Sequence, residues 1–265
     1  MSGCPSFILS SGCLFTSGLE LCARVAGKSG FDGLELILND PGMLDTDYLH
    51  KACGEVKIYS LHAPFRSWGK WGGHLRAWQK TATLAQKLGD PVNITLHPPV
   101  LSLKQIPHFW WFTKSKDLSQ DLGSAVPLSL ENLPLAGETT GMEGDAWTAH
   151  LKLCAKRKTN LTMDICHLGV SRMDILDCLK RTPGDILANI HFSDCRGIQE
   201  HMWPGSGELD MDCFLSYLAR IGYTGLITLE IGPDQLPDGE EAIVDKLEKY
   251  LEWIKGFFPS AGCDF

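Results

Sequence analysis

Six short apolar segments of this 265-residue chain each carry, at or near their end, a side chain able to ligate a metal or move a proton. They are His62 in "IYSLHA", His97 in "VNITLH", Glu131 in "VPLSLEN", Asp164 in "LTMDI" with His167 three residues on, His191 in "ANIHFSD" and Glu230 in "LITLEI". A core strand gains nothing from such groups, because burying an unpaired charge is costly. One strand-end histidine alone would be a hydrogen-bonded structural residue, and one carboxylate would cap the following helix. Six in succession converge on one small volume, where two glutamates and an aspartate need a cation to ionise together. A divalent metal held by Glu131, Asp164, His191 and Glu230 meets that need. Mixed oxygen and nitrogen donors suit manganese, cobalt, zinc or magnesium, and do not choose among them. Such a cation polarises a carbonyl and the hydroxyl beside it, which acidifies the C–H between them. A carboxylate on one face can then remove the proton and a second return it. Return to the same carbon is epimerisation, return to its neighbour is isomerisation, and loss of a β-hydroxyl is dehydration.

Those residues need a scaffold that brings strand ends together. The candidate strands are "SFILSS", "GLELIL", "IYSLHA", "VNITLH", "VPLSLEN", "LTMDI", "ANIHFSD" and "LITLEI", with short, nearly continuous apolar runs suited to parallel strands buried on both faces. Helix signals lie between them. Ser17 with Glu20 forms a capping-box pattern, with Gly27 or Gly30 as the stop. Leu75, Trp78, Ala82, Ala85 and Leu88 keep helical spacing up to Gly89. Asp210 caps a helix with Phe214, Leu218 and Ile221 on its inner face and Gly222 at its end. Ile243, Leu247, Leu251 and Ile254 make the last stripe. Strand and helix alternating eight times predict a (β/α)₈ TIM barrel, α/β in class, as one domain over residues 1–265. A doubly wound sheet would show a glycine-rich phosphate loop after its first strand, and "SSGCLFTSG" is not one.

Composition narrows the function classes. The chain is 44% hydrophobic and 21% charged, with a mean hydropathy of −0.05, as in an ordinary globular protein. A formal charge of −8 and a pI near 5.6 count against duplex nucleic acid as the main partner. No apolar run suits a membrane span, and the N-terminus has no basic flank of a signal peptide, so a cytoplasmic location is expected. Ten cysteines run from Cys4 to Cys263 without a CxxC pair, which reads as free, mostly buried thiols, with Cys166 turned into the core.

The segments "SLHAPF", "ITLHPP", "LSLENLP", "LTMDICHLG", "NIHFSDCRG", "HMWPGSGELD" and "YTGLITLEI" resemble the xylose-isomerase-like barrels, in the family's order, from about "GFDGLELIL" to "LITLEI". That superfamily holds sugar and sugar-phosphate isomerases and epimerases, inosose and dehydroshikimate dehydratases, and an abasic-site endonuclease branch. The resemblance implies one divalent metal on Glu131, Asp164, His191 and Glu230, with Glu131 and Glu230 also serving as acid and base. It implies that His167 acts at a substrate oxygen, with Arg196 as a further contact. The substrate would be a sugar, sugar phosphate or cyclitol.

The endonuclease branch uses three zinc ions. His62, His97 and His201 match ligands of that branch, but its aspartate two residues before the last histidine is Gln199 here, with Glu200 adjacent. His62, His97 and His201 are therefore assigned to substrate binding, and a zinc-dependent phosphodiesterase stays an alternative. A non-catalytic ligand-binding barrel is a second one, opposed by the intact ligand set. The loops add Arg66, Trp68, Lys70, Trp71, Trp110, Trp111 and Trp203. Trp68 and Trp203 are candidates for packing on sugar C–H faces. The same tryptophans could instead pack loops over the barrel or line a homodimer interface. "PGSGELD" reads as a turn into a capped helix.

Overall fold

The computed structural model describes residues 4–89, 91–99, 105–134 and 146–258. Its strands are β1 (Ser6–Ser10), β2 (Gly33–Ile37), β3 (Ile58–His62), β4 (Asn93–Leu96), β5 (Leu128–Glu131), β6 (Asn160–Asp164), β7 (Leu187–Phe192), β8 (Asp194–Arg196), β9 (Gln199–Met202) and β10 (Leu226–Leu229). All but β8 and β9 close a parallel barrel in the order β1-β10-β7-β6-β5-β4-β3-β2. The eight segments read as strands are therefore the eight barrel strands, and the chain is a single (β/α)₈ TIM barrel. β8 and β9 form an antiparallel hairpin after the seventh barrel strand, starting at Asp194, which the sequence pattern places at the end of that strand.

Alternation along each strand sorts its side chains. Phe7, Leu9, Leu34, Leu36, Leu61, Leu96, Leu130, Leu161, Met163, Ile190, Phe192, Ile227 and Leu229 point outward into the layer between sheet and helices. Each such side chain contributes about 1.5–3 kcal/mol by leaving water. The inner face differs from the apolar interior that the sequence led us to expect. It carries Ser10, Glu35, Ser60, Asn93, Thr95, Ser129, Thr162, Asn189 and Thr228, all buried. Burial of these groups is tolerated because they bond one another across strands. Thr162 Oγ1 lies 3.0 Å from Thr95 Oγ1 and 2.5 Å from Ser129 Oγ, and Thr228 Oγ1 donates to Asn189 Oδ1 at 2.8 Å.

The helices are α1 (Leu19–Ser29), α2 (Thr46–Cys53), α3 (His74–Leu88), α4 (Ile106–Lys114), α5 (Leu118–Leu122), α6 (Ala146–Arg157), α7 (Ile165–Val170), α8 (Ile175–Arg181), α9 (Met211–Arg220) and α10 (Glu240–Lys255). Gly30 ends α1 in the left-handed region at φ 82°, and Gly89 ends α3 at φ 77°. The expected Ser17–Glu20 capping box does not form: the N-cap is Gly18, which has no side chain to accept the free amides, and Ser17 lies one residue too early. Asp210 does cap α9 through Cys213 N–H, and Phe214 and Leu218 are buried beneath it. Ile221, expected on that inner face, is 45% exposed because the helix stops at Arg220. The α10 stripe of Ile243, Leu247, Leu251 and Ile254 is buried as read.

No helix among the described residues is long and apolar enough to cross a membrane. The nine described cysteines are free, and all but Cys4 and Cys213 are buried, while Cys263 lies outside the described residues. Cys166 is buried, but under the hairpin rather than in the apolar layer. Its Sγ accepts the His201 N–H at 3.1 Å.

Candidate metal centre

At the C-terminal end of the barrel, one ligand atom each of Glu131, Asp164, His191 and Glu230 lies within 4.8 Å of all the others. His191 Nδ1 is 2.7 Å from Glu230 Oε2, 3.6 Å from Glu131 Oε1 and 3.8 Å from Asp164 Oδ2. Asp164 ends β6 and is also the N-cap of α7. Its Oδ1 accepts the His167 N–H at 2.7 Å, which fixes the carboxylate and turns Oδ2 into the group. Asp164 Oδ2 and both ring nitrogens of His191 are buried without a hydrogen bond of sound geometry. Buried polar atoms are seldom left so. Three carboxylates, one imidazole and an orphaned oxygen at their centre are a donor set that fits a divalent cation.

Histidines surround this group. His62 Nε2 and His97 Nε2 lie 3.0 and 3.1 Å from Glu131 Oε2, and the three residues form a second possible ligand group. His167 Nδ1 is 2.9 Å from Asn132 O, 3.3 Å from Glu131 Oε1 and 3.5 Å from Asp164 Oδ2. His201, on β9 at φ 53°, directs Nδ1 at the Glu230 carbonyl, 3.1 Å away, and completes a third possible group with Asp164 and His167. The site opens at its rim: the side chains of His97 and Glu230 are 25% and 13% exposed, while that of Glu131 is 1% exposed.

The proton balance follows from burial against charge. Burial opposes ionisation of Glu230, but the His191 imidazolium outweighs it and holds the carboxyl near 2. Glu131 lies well below the usual carboxylate range, since the charges of His97 and His191 override its own burial. Burial wins at Asp164, which is raised. For His167 burial is again the largest influence, yet Asp164 and Glu131 together lift the imidazole to about 10. His97 is pushed down by burial. Protons on the imidazoles thus balance the carboxylates, and a bound cation would replace them.

The structure brings His62, His97, Glu131, Asp164, His167, His191, His201 and Glu230 into one cluster. Trp68 stands beside it, lining a cavity of about 140 Å³ with Phe65, Trp78 and His97. Two of the residues assigned to substrate are held by other partners. Arg196 is exposed on β8 and its guanidinium is held by the Ser206 carbonyl. Trp203 packs edge-on against Tyr250 of α10 under Lys246, so it anchors its loop to the barrel wall. Gln199 and Glu200 are both exposed, so neither adds a buried carboxylate to the group of Asp164, His167 and His201.

Three further residues support the centre and were not singled out from sequence. Asn132 clamps Asp164 by a pair of bonds, Nδ2 to Asp164 O and Asp164 N to Oδ1, both at 2.9 Å. The buried Asp194 carboxylate accepts five backbone amides, from Cys195, Gly205, Gly207, Glu208 and Leu209. This is why "PGSGELD" folds as it does. Gly207 is required there, since a Cβ would collide with the Cys195 carbonyl and the Asp194 carboxylate. Glu35 is wholly buried inside the barrel, with Oε1 2.9 Å from His191 Nε2.

One sequence signal could have found Glu35. Ser60-Leu61-His62, Thr95-Leu96-His97, Ser129-Leu130-Glu131, Thr162-Met163-Asp164, Asn189-Ile190-His191 and Thr228-Leu229-Glu230 repeat one triplet: small polar, apolar, titratable. Period-two alternation makes the first and third inward and the second outward. Gly33-Leu34-Glu35 is a near match, with glycine in the first place, offset toward the start of its strand.

Several solved structures share this fold. A D-tagatose 3-epimerase-like protein superposes with a TM-score of 0.66 at 22% identity, covering 95% of this chain and 98% of its own. A D-allulose 3-epimerase from Methylomonas sp., solved with D-allulose, gives a TM-score of 0.67 at 18% identity, with 96% and 97% covered. The IOLI protein, solved with a zinc atom, gives 0.70 at 18% identity, with 96% and 99% covered. At these identities the likeness is one of fold. None of the curated proteins compared with the sequence matches it. Residues 23–255 match the family profile described as xylose isomerase-like TIM barrel, and the chain belongs to that family.

Proposed function

We propose that the protein is a metal-dependent isomerase or epimerase that moves a proton beside the carbonyl of a sugar, sugar phosphate or cyclitol. The observation that carries this reading is the buried group of Glu131, Asp164, His191 and Glu230 around the orphaned Asp164 oxygen. These four residues would hold one divalent cation. When bound, that cation would polarise the substrate carbonyl and the neighbouring hydroxyl. Glu131 and Glu230 are the two carboxylates placed to take and return the proton, and Glu230 is the one that reaches solvent. His62 and His97 each lie about 3 Å from Glu131 Oε2 and would orient that carboxylate. His167 is an imidazole held charged by Asp164 and Glu131, suited to steady a developing oxyanion. The structures solved as epimerases, one of them with a ketose, support a carbohydrate ligand.

The test is proton exchange. Protein loaded with manganese, cobalt, zinc or magnesium is incubated in D₂O with a panel of ketoses, sugar phosphates and cyclitols. Deuterium is then sought by NMR at the carbon beside the carbonyl. Exchange that Glu230→Gln abolishes, with the fold intact by circular dichroism, is the expected result. Full turnover in Glu230→Gln would sink the assignment. Loss of water from the exchanged substrate would place the protein among the dehydratases.

A zinc-dependent phosphodiesterase is the second reading, and one observation favours it. The groups His62–His97–Glu131 and Asp164–His167–His201 flank the first group and share its carboxylates. The exposed Gln199, which offers no carboxylate, counts against a complete third site. Two or three zincs per chain by elemental analysis, with cleavage of abasic-site DNA, would decide for this reading. About one metal per chain would decide against it.

A further inference from the structure

We propose that Glu35 is a positioning residue that holds His191 in the tautomer whose Nδ1 lone pair faces Glu131, Asp164 and Glu230. The inference rests on the reading of those residues as a metal group.

Glu35 sits mid-strand in β2, beside Ser60 of β3 in register, and is completely buried. Its two oxygens have different partners. Oε2 accepts from Ser60 Oγ at 2.6 Å, from Asn189 Nδ2 at 3.0 Å and from Thr95 Oγ1 at 3.4 Å. The amide of Asn189 is turned with Nδ2 toward Glu35 and Oδ1 accepting from Thr228 Oγ1 at 2.8 Å. Oε1 has no hydrogen bond of sound geometry, and the group facing it is the imidazole of His191, whose Nε2 is 2.9 Å away. With three donors already collected on Oε2, Oε1 is left as an acceptor, so the nitrogen facing it carries the proton. In a neutral imidazole the lone pair is then on Nδ1, the nitrogen 2.7 Å from Glu230 Oε2. A carboxylate behind a ligating histidine has this orienting effect in metal sites generally.

The same geometry says what Glu35→Gln does. Glutamine fits the space but has only one oxygen. Three donors surround the Oε2 position, so the amide oxygen goes there and the NH₂ faces His191 Nε2. That arrangement favours the opposite tautomer, with N–H at Nδ1 pointing into the metal group.

The experiment uses the full chain with Zn²⁺ as the probe and needs no substrate. Zn²⁺ affinity is measured for wild type and Glu35→Gln. ¹⁵N-histidine NMR of the zinc-loaded proteins separates protonated from metal-bound ring nitrogens. In the wild type, His191 is expected to show a protonated Nε2 and a zinc-bound Nδ1. In Glu35→Gln, affinity is expected to fall about 10–100-fold, with loss of that pattern. Zinc held by Nε2 in the wild type overturns the proposal, even if the variant fails to fold. So does a variant that loses stability yet keeps the pattern and binds zinc within about twofold of wild type. A wild type that binds no zinc through His191 overturns this proposal and the proposed function together, whereas an unaffected variant overturns this proposal alone.

Discussion

Asp164 gives the sharpest test of the centre because its two oxygens do different work. Oδ1 caps α7 through the His167 N–H, and Oδ2 lies unpartnered in the ligand group. Asp164→Asn keeps a capping oxygen and puts an NH₂ where Oδ2 was. Asp164→Ala removes both. At a thousandfold excess over its Kd, a metal that binds only the folded state stabilises it by about 4 kcal/mol. If Asn weakens binding about 100-fold, the same metal concentration stabilises the variant by only about 1.4 kcal/mol. A chain of this length shifts its Tm by roughly 2 °C per kcal/mol, so the metal-induced shift falls from about 8 °C to about 3 °C. Without metal, Asn is expected to cost nothing and could raise Tm, since it removes a carboxylate that burial already disfavours. Ala loses the metal response too, and a further ~1 kcal/mol of metal-free stability with the cap. The assay is calorimetry of all three proteins with and without metal. A full metal-induced shift in Asp164→Asn would refute Oδ2 as a ligand, and equal metal-free Tm values for Asn and Ala would refute the division of labour.

Three other outcomes follow from the geometry. Asp194→Asn retains one acceptor for five amides and places an NH₂ against at least two of them, so it should cost about 3–5 kcal/mol, and hydrogen exchange at residues 205–209 should accelerate. Unchanged exchange there would show that the carboxylate does not hold the loop. Gly207→Ala should perturb the same amides through the clash with Asp194, seen as a lower Tm and faster exchange in that loop. His108, stacked between His74 and Trp111 with Trp78 edge-on, is pushed down to about 3 by burial, whereas an unfolded histidine titrates near 6.5. The unfolded chain therefore binds the extra proton, so this residue's contribution to stability is complete above about pH 6.5 and is lost as pH falls toward about 3. His108→Phe should narrow the loss of unfolding free energy between pH 7.5 and 4.5 by on the order of 2–3 kcal/mol, and an unaltered pH profile in denaturant titrations would contradict the burial.

The barrel and the convergence of Glu131, Asp164, His191 and Glu230 on one end of it were legible because both obey local rules. Six of the eight barrel strands carry a titratable residue at or next to their end, and that pattern survives in the chain without knowledge of its neighbours. Helix ends were legible where glycine or aspartate acts within one turn, as at Gly30, Gly89 and Asp210. At Ser17 the same signal misled, since a one-residue offset hands the N-cap to Gly18. Arg196 and Trp203 follow ligand-bearing segments closely, but proximity in sequence does not set direction in space. The β8–β9 hairpin leaves Arg196 on the surface, and the loop beyond it carries Trp203 onto α10.

By itself, then, the sequence determined which strands exist and which six of them carry a titratable residue at or next to their end, for these depend on spacing of a few residues, whereas the polar inner face of the barrel came from the structure. Only the closed barrel decided what Glu35, Asn132 and Asp194 do. Glu35 meets Asn189 and His191, some 150 positions away, because barrel closure through β1 and β10 turns β2 and β7 onto one interior. Asn132 reaches Asp164 across the β5–β6 pair, and Asp194 collects amides from a loop that folds back over it. A buried carboxylate takes its role from the donors around it, and those donors come from distant parts of the chain that only the tertiary structure brings together.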